Sequence, residues 1–460
     1  MQNQRFSIHS LTGFGIIATV AQNEHLLKYL SSSGASLADP GGSYYHWDKL
    51  RFLESKKPAG LSFEEWWACI KLCRMQQYRP VTHLSDQTGS KFTYCITRSL
   101  EANISRLTMR LGGNISTDIA AAINPQIKNT YMIRSSLEES ISSSQLEGAV
   151  TTRKVAKAMI RNNNEPKDHS QKMIFNNYLG MEFVKDHSHE ELTPELICEL
   201  HKIMTENTLE AESDAGKYRS EKDNVVVAQN EKVLFTPPKA SVVSGMIQNL
   251  CHFVNEDDND CNFINPLTRA IITHFLLAYI HPFVDGNGRT ARALFYWVAL
   301  KKGFWLAEFI SISKVIQHSK SKYSRSFLLT ETDSNDLTYF ILHQVDVINQ
   351  AVEAFEKYIK KTIDDISEAQ KLLKNEKIRR KLNFRQLQLI RHGLDHPGQV
   401  YTVASYVKTH GVTYETGRRD LTGISDELGL LIKVKQGKSF SFFVPNDLKS
   451  RILDLSETKN

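Results

Sequence analysis

His281-Pro282-Phe283-Val284-Asp285-Gly286-Asn287-Gly288-Arg289-Thr290-Ala291-Arg292 brings a base, a carboxylate, a glycine-rich turn and two arginines together within twelve residues. Apolar periodicity predicts one helix over 268–280 before this stretch and another over 290–302 after it. The stretch is then a helix-loop-helix junction. Pro282 ends the first helix, because proline restricts the residue before it and lacks a backbone donor. Gly286, Asn287 and Gly288 adopt positive φ at little cost, so their N–H groups can turn to one side as an anion-binding nest at the start of the second helix. A helix N-terminus favours phosphate. Arg289 and Arg292, three residues apart, share a face and can reach one polyphosphate. A bare carboxylate beside phosphates repels them, so Asp285 reads as a Mg²⁺ ligand. His281, with a pKa near neutrality, suits removal of a proton from an incoming hydroxyl. Taken singly, a histidine or a glycine is more often a core or turn residue.

All fixed positions of HPFxDGNGRxxR are present, and the stretch resembles the signature of the Fic family. That resemblance implies transfer of AMP from ATP to a Ser, Thr or Tyr hydroxyl of a target protein, with release of pyrophosphate. It implies His281 as base, Asp285 as Mg²⁺ ligand, and Asn287 with the Gly286 and Gly288 backbone as anion hole. Arg289 would hold the β-phosphate and Arg292 the γ-phosphate. A kinase-like branch carries lysine where Gly288 stands, and its absence favours nucleotidyl over phosphoryl transfer.

A helix is predicted over 131–146, closing on Ser143-Ser144-Gln145-Leu146-Glu147-Gly148. Ser143 and Glu147 are four apart on one face, and Gly148 is a helix stop. A solvated helix end with one acid is the bland reading. The string also resembles the Fic inhibitory motif [S/T]xxxE[G/N] of class II members, which implies that Glu147 pairs with Arg292 and blocks the γ-phosphate. In some relatives the same glutamate positions water to remove AMP.

Two β-prone runs, 224–228 and 233–236, flank Gln229-Asn230-Glu231-Lys232 and predict a hairpin without an Asn-Gly turn; Gly216-Lys217-Tyr218-Arg219 precedes it. Its position matches the family's flap, which aligns a target segment as an added strand. An ordinary surface hairpin is the alternative. Downstream, Tyr323 and Asn335 are candidates for contacts to the nucleotide base. A tyrosine at helical spacing is more often core, and the Asn335-Asp336-Leu337-Thr338 run also reads as a helix cap.

The 460 residues are 41% hydrophobic and 23% charged, with a formal charge of +6, which suits two to four domains and no nucleic-acid coat. No apolar run approaches a membrane span, and residues 1–20 lack the basic and apolar regions of a leader. Cys69, Cys73, Cys95, Cys198, Cys251 and Cys261 show no CxxC spacing and read as reduced thiols in a cytoplasmic protein.

The expected fold is mainly α: an N-terminal helical segment (1–125), a Fic helical core with a small flap hairpin (126–358, the inhibitory helix at 131–147), a helical connector (359–381) and a winged helix-turn-helix domain (382–450). In the first segment Ser62 and Glu65 form a capping box ahead of Trp66 and Trp67. In the last, helices over 384–392, 404–410 and 413–428 precede strands over 430–434 and 440–444. Arg418, Arg419, Lys433, Lys435 and Lys438 could meet DNA phosphates, whereas Glu415, Asp420, Asp426 and Glu427 suit a protein partner. A homodimer is compatible with this chain and not legible in it. Two function classes follow, an autoinhibited AMP-transferase and a DNA-binding regulator with a nucleotide-sensing core. Another NMP as donor is a closer rival, since the phosphate ligands do not specify a base.

Overall fold

A computed structural model of the chain describes residue 20 and residues 23–113, 125–161, 164–229, 232–256, 263–372, 376–436 and 439–457. The leader-like patch before Val20, the hairpin turn at Asn230 and Glu231, Cys261 and Lys438 lie outside the described residues. The chain divides into two compact units, Met1–Gly112 with Leu137–Gln350, and Gly113–Ser136 with Ala351–Asn460. The border expected at 125 therefore does not separate two units: residues before Gly112 share a unit with the core.

The first unit contains, in order, α1 (Phe63–Met75), β1 (Tyr78–Ser85), β2 (Lys91–Cys95), α2 (Arg98–Leu111), the end of α3 (Pro125–Leu146), α4 (His169–His187), α5 (Pro194–Thr205), β3 (Val227–Gln229), β4 (Lys232–Phe235), α6 (Ala240–Asn255), α7 (Pro266–Ile280), α8 (Asn287–Lys301), α9 (Lys320–Thr332) and the start of α10 (Thr338–Leu372). Helices α7 and α8 are buried on nearly every face and pack on each other, as helices apolar all round must. Asn265 caps α7 and Pro266 occupies its first turn, which starts the helix two residues before 268.

The Ser62–Glu65 capping box is present at α1, with Trp66, Trp67, Ile70 and Cys73 buried behind it. The N-terminal segment is not purely helical. β1 and β2 form an antiparallel hairpin with an irregular register between Pro80 and Ser85. Its turn is held by the Asp86 carboxylate, which accepts from the N–H groups of Thr88 and Ser90. Arg74, wholly buried, donates to the carbonyls of Ala38 and Tyr45 and to the Tyr339 hydroxyl. Lys71 pairs with Asp333 at 2.8 Å, and the Tyr44 and Tyr78 hydroxyls donate to Asp336. These buried polar ties fasten the N-terminal residues to the segment between α9 and α10.

In the second unit α11 (Phe384–Asp395), β5 (Val400–Thr402), α12 (Val403–His410), α13 (Tyr414–Thr422), β6 (Ile432–Gln436), β7 (Ser439–Phe443) and α14 (Leu448–Glu457) enclose a core that includes Ile390, Tyr406, Leu421, Phe442 and Ile452. The sheet order is β5-β7-β6, antiparallel throughout. The third expected helix is shorter than 413–428, because one π turn replaces α-helix from Gly423 to Glu427. The last helix, α14, extends past the expected limit at 450. The expected connector is partly the continuation of α10 to Leu372, followed by a short helix at Glu376–Lys381. Lys433 pairs with Asp426 at 2.7 Å, and Arg418 lies 3.8 Å from Glu415. Asp420 is buried and accepts from Asn383, Arg385 and Tyr406, so it is part of the unit's own framework.

Candidate active site

The loop from His281 to Gly286 joins α7 to α8, and its backbone determines what faces the cavity beside it. His281 is the left-handed C-cap of α7, φ 51° and ψ 58°, a costly conformation for a non-glycine residue. Its Nδ1 lies 3.2 Å from the Ala278 carbonyl, which can only accept, so Nδ1 carries the proton and Nε2 presents a lone pair. Burial first, with the Arg219 charge contributing, lowers the His281 pKa and keeps the ring neutral near pH 7, as a base requires.

Gly286 alone of the three turn residues has positive φ, 78°, and caps α8; Asn287 and Gly288 are already helical. A Cβ at Gly286 would stand 2.7 Å from Thr205 Cγ2, so glycine is required there for space as well as angle. The nest is thus the first turn of α8 itself. The Asn287 side chain ties back to the loop: its Nδ2 donates to the Phe283 carbonyl at 2.8 Å and its Oδ1 accepts from the Phe283 N–H at 2.9 Å. It thereby closes the loop ahead of α8.

Arg289 donates through Nη1 to the Met204 carbonyl at 2.7 Å, while its buried Nε and Nη2 have no hydrogen-bond partner among the described residues. Two unmet donors on a 1% exposed guanidinium are costly unless an anion completes them. The exposed Asp285 carboxylate lies 3.7 Å from Nη2. Arg292, 2% exposed, is in contrast engaged at both Nε and Nη2. Its Nε donates to the Ser143 hydroxyl at 2.9 Å, and its Nη2 to the Ser143 carbonyl at 3.0 Å and to Glu147 Oε1 at 2.8 Å. The Glu147 carboxylate packs so closely on α8 that a Cβ at Gly288 would come within 2.2 Å of Oε1.

Glu147, His281, Gly288, Arg292 and Tyr323 line a cavity of about 380 Å³ together with Val227 and Phe235 of the β3–β4 hairpin, whereas Asp285, Asn287 and Arg289 are not among its lining residues. The hairpin pairs Val227 with Phe235 across a register shift after Val227. Tyr323 does reach the cavity, but its hydroxyl is bound to His274 Nε2 at 2.8 Å, so only its ring is open to a ligand. Asn335 does not line the cavity. It has left-handed backbone, φ 59°, and its side chain donates to Asp86 in the β1–β2 turn. The Thr338 N–H is met by Asp336 Oδ1 at 3.0 Å.

Three contributors escaped the sequence reading. Glu331 lines the cavity, and burial pushes its carboxyl up to about 7. Its spacing from Tyr323 and Phe327, eight and four residues, places all three on one face of α9 and is the signal that could have found it. His201 stacks on Phe283 at 3.7 Å, accepts at Nδ1 from the Gly216 N–H and donates from Nε2 to the Asp285 carbonyl. Arg219 donates from Nε to the His281 carbonyl at 2.7 Å.

Residues 191–299 match the profile of the Fic/DOC family. Over 116 residues the chain is 34% identical to protein adenylyltransferase fic-1 of Caenorhabditis elegans, covering 25% of this chain and 21% of that protein. Over 166 residues it is 26% identical to protein adenylyltransferase Fic of Nematostella vectensis, covering 36% of this chain and 34% of the relative. The chain thus spans about a fifth to a third of these relatives' length. A Fic family protein from Desulfovibrio desulfuricans G20 has the same fold with a TM-score of 0.50, at 16% identity over 77% of this chain and 98% of that one.

Proposed function

We propose, from the premise that residues 191–299 are a domain of the Fic/DOC family, that the chain transfers AMP from ATP to a hydroxyl side chain of a target protein. One observation carries the reading: a histidine with a free Nε2, and an arginine already held by a carboxylate, line one cavity beside a second arginine with two unmet donors. The names of the relatives, protein adenylyltransferases, support AMP as the group moved.

In the reaction the hydroxyl oxygen attacks the α-phosphorus of ATP while His281 Nε2 takes its proton. The bond from α-phosphorus to the bridging oxygen breaks, and pyrophosphate leaves with that electron pair. Arg289 completes its donor set on the β-phosphate, and Arg292, once released, holds the γ-phosphate. The first turn of α8 presents N–H groups to the departing charge. Asp285, exposed beside Arg289, suits Mg²⁺, which commonly takes one or two protein carboxylates and completes its shell with phosphate oxygens and water. When bound, the ion neutralises phosphate charge. Tyr323 and Glu331 are assigned to the base end of the cavity. Glu147 and Ser143 inhibit by occupying Arg292.

Mass spectrometry after incubation with ATP and Mg²⁺ tests this. Glu147→Gly is expected to gain the mass of AMP, at a rate about tenfold or more above the parent, and Glu147→Gly with His281→Ala to gain nothing. A phosphate-sized gain overturns nucleotidyl transfer, gain from UTP but not ATP overturns AMP, and a Glu147→Gly rate equal to the parent's overturns inhibition.

A further inference from the structure

Arg219 closes the Gly216-Lys217-Tyr218-Arg219 run and, beyond the effect of its charge on His281, is assigned no step in the transfer above. It is 8% exposed, and carbonyl oxygens take its guanidinium donors. Nε donates to the His281 carbonyl at 2.7 Å; Nη2 donates to the Ile280 carbonyl at 3.4 Å and to the Pro238 carbonyl. Its own N–H donates to the Pro282 carbonyl at 2.8 Å. Two of these acceptors are at the C-terminal end of α7, where helix carbonyls lack intrahelical partners and a cation is favoured. The third, Pro238, lies just beyond β4, and Pro237 and Pro238 are both buried and locked in φ.

We propose that Arg219 is a positioning residue that couples the β3–β4 hairpin to the base, one guanidinium fixing the end of the hairpin and the strained backbone of His281 together. The inference rests on His281 being the base of the transfer proposed above. Left-handed backbone at a non-glycine residue is strained and persists only where its surroundings hold it. Arg219 supplies that hold. Only a planar fork directs donors from Nε and Nη2 to separate acceptors; a lysine ammonium is a point charge on a flexible stem. A target strand laid on the hairpin would then shift or steady the histidine through Arg219, so that base and hydroxyl are aligned in one step.

The full chain in the Glu147→Gly background provides the test. Arg219→Lys keeps the charge and loses the fork; Arg219→Ala leaves a space that guanidinium ion can enter. Both are expected to bind ATP within about threefold of their parent, while kcat for AMP incorporation falls about fiftyfold or more at little change in KM for ATP. Added guanidinium ion is expected to restore Arg219→Ala about tenfold and to leave Arg219→Lys unchanged. Amide hydrogen exchange is expected to quicken in 227–235 and in 281–289 together. Arg219→Gln, which keeps a neutral donor, serves the same readouts if Arg219→Ala does not fold. A kcat within about threefold of the parent, or quickened exchange in only one of the two segments, overturns the proposal. If Glu147→Gly itself incorporates no AMP, the transfer reading fails, while the exchange result still decides the coupling.

Discussion

Arg292 and Glu147 are 145 positions apart in the chain and 2.8 Å apart in space, and Gly288 is what lets them meet. A Cβ there would overlap Glu147 Oε1 at 2.2 Å and crowd Arg292 Nη1 at 3.1 Å. The carboxylate is the movable partner, so Gly288→Ala is expected to evict it and to forfeit the pair. The variant should lose about 1–3 kcal/mol of stability in the parent and little in Glu147→Gly, a coupling of at least about 0.5 kcal/mol by urea unfolding. Additive losses would show that Glu147 is not what fills that space. At this scale the motif told which residues carry charge and which could be a base. It did not tell that the Asn287 amide binds both backbone groups of Phe283, nor that Asn335 faces the β1–β2 turn, because both depend on partners that no local spacing marks.

Among the elements, the α7–loop–α8 junction is held from outside by His201 of α5. The Gly216 N–H donates to Nδ1 and Nε2 donates to the Asp285 carbonyl, an arrangement only neutral imidazole can make. Burial pulls the His201 pKa down to about 4. Between that value and the ordinary 6.5 the unfolded chain binds a proton that the folded chain does not. Stability therefore falls as pH drops through this window and is unaffected by His201 above it, by about 3 kcal/mol in all. Unfolding midpoints compared at pH 7.5 and pH 4.5 should show this loss in the parent and a smaller one in His201→Gln. Equal losses would mean that His201 is protonated in the fold. Helices α7 and α8 were legible because unbroken apolar runs need no partner to be recognised. The β1–β2 hairpin was not: its irregular register hides the alternation, and an aspartate, not Asn-Gly, makes its turn.

For the whole molecule, the second unit has the order of elements expected of a winged helix, and its charges bear on a DNA partner. Lys433 is paired with Asp426 and Arg418 lies beside Glu415, while Arg419 and Lys435 carry no ion pair among the described residues. Of the named cations, Arg419 and Lys435 are then left to meet phosphates among the described residues, so duplex binding should follow a log-log salt slope no steeper than about −2. A filter-binding slope near −6 would favour the DNA-binding reading. The sequence by itself determined a mainly helical chain, a base, a carboxylate and two arginines at one helix junction, and an acid on a distant helix end. Those follow from periodicity, turn chemistry and residue type, which are local. Only the tertiary structure decided that Arg292 is occupied and Arg289 is not, that the residues before Gly112 share a unit with the core, and that Arg219 and His201 hold the loop. Each of these is a match between groups far apart in the chain, made where burial leaves a polar atom no water to turn to.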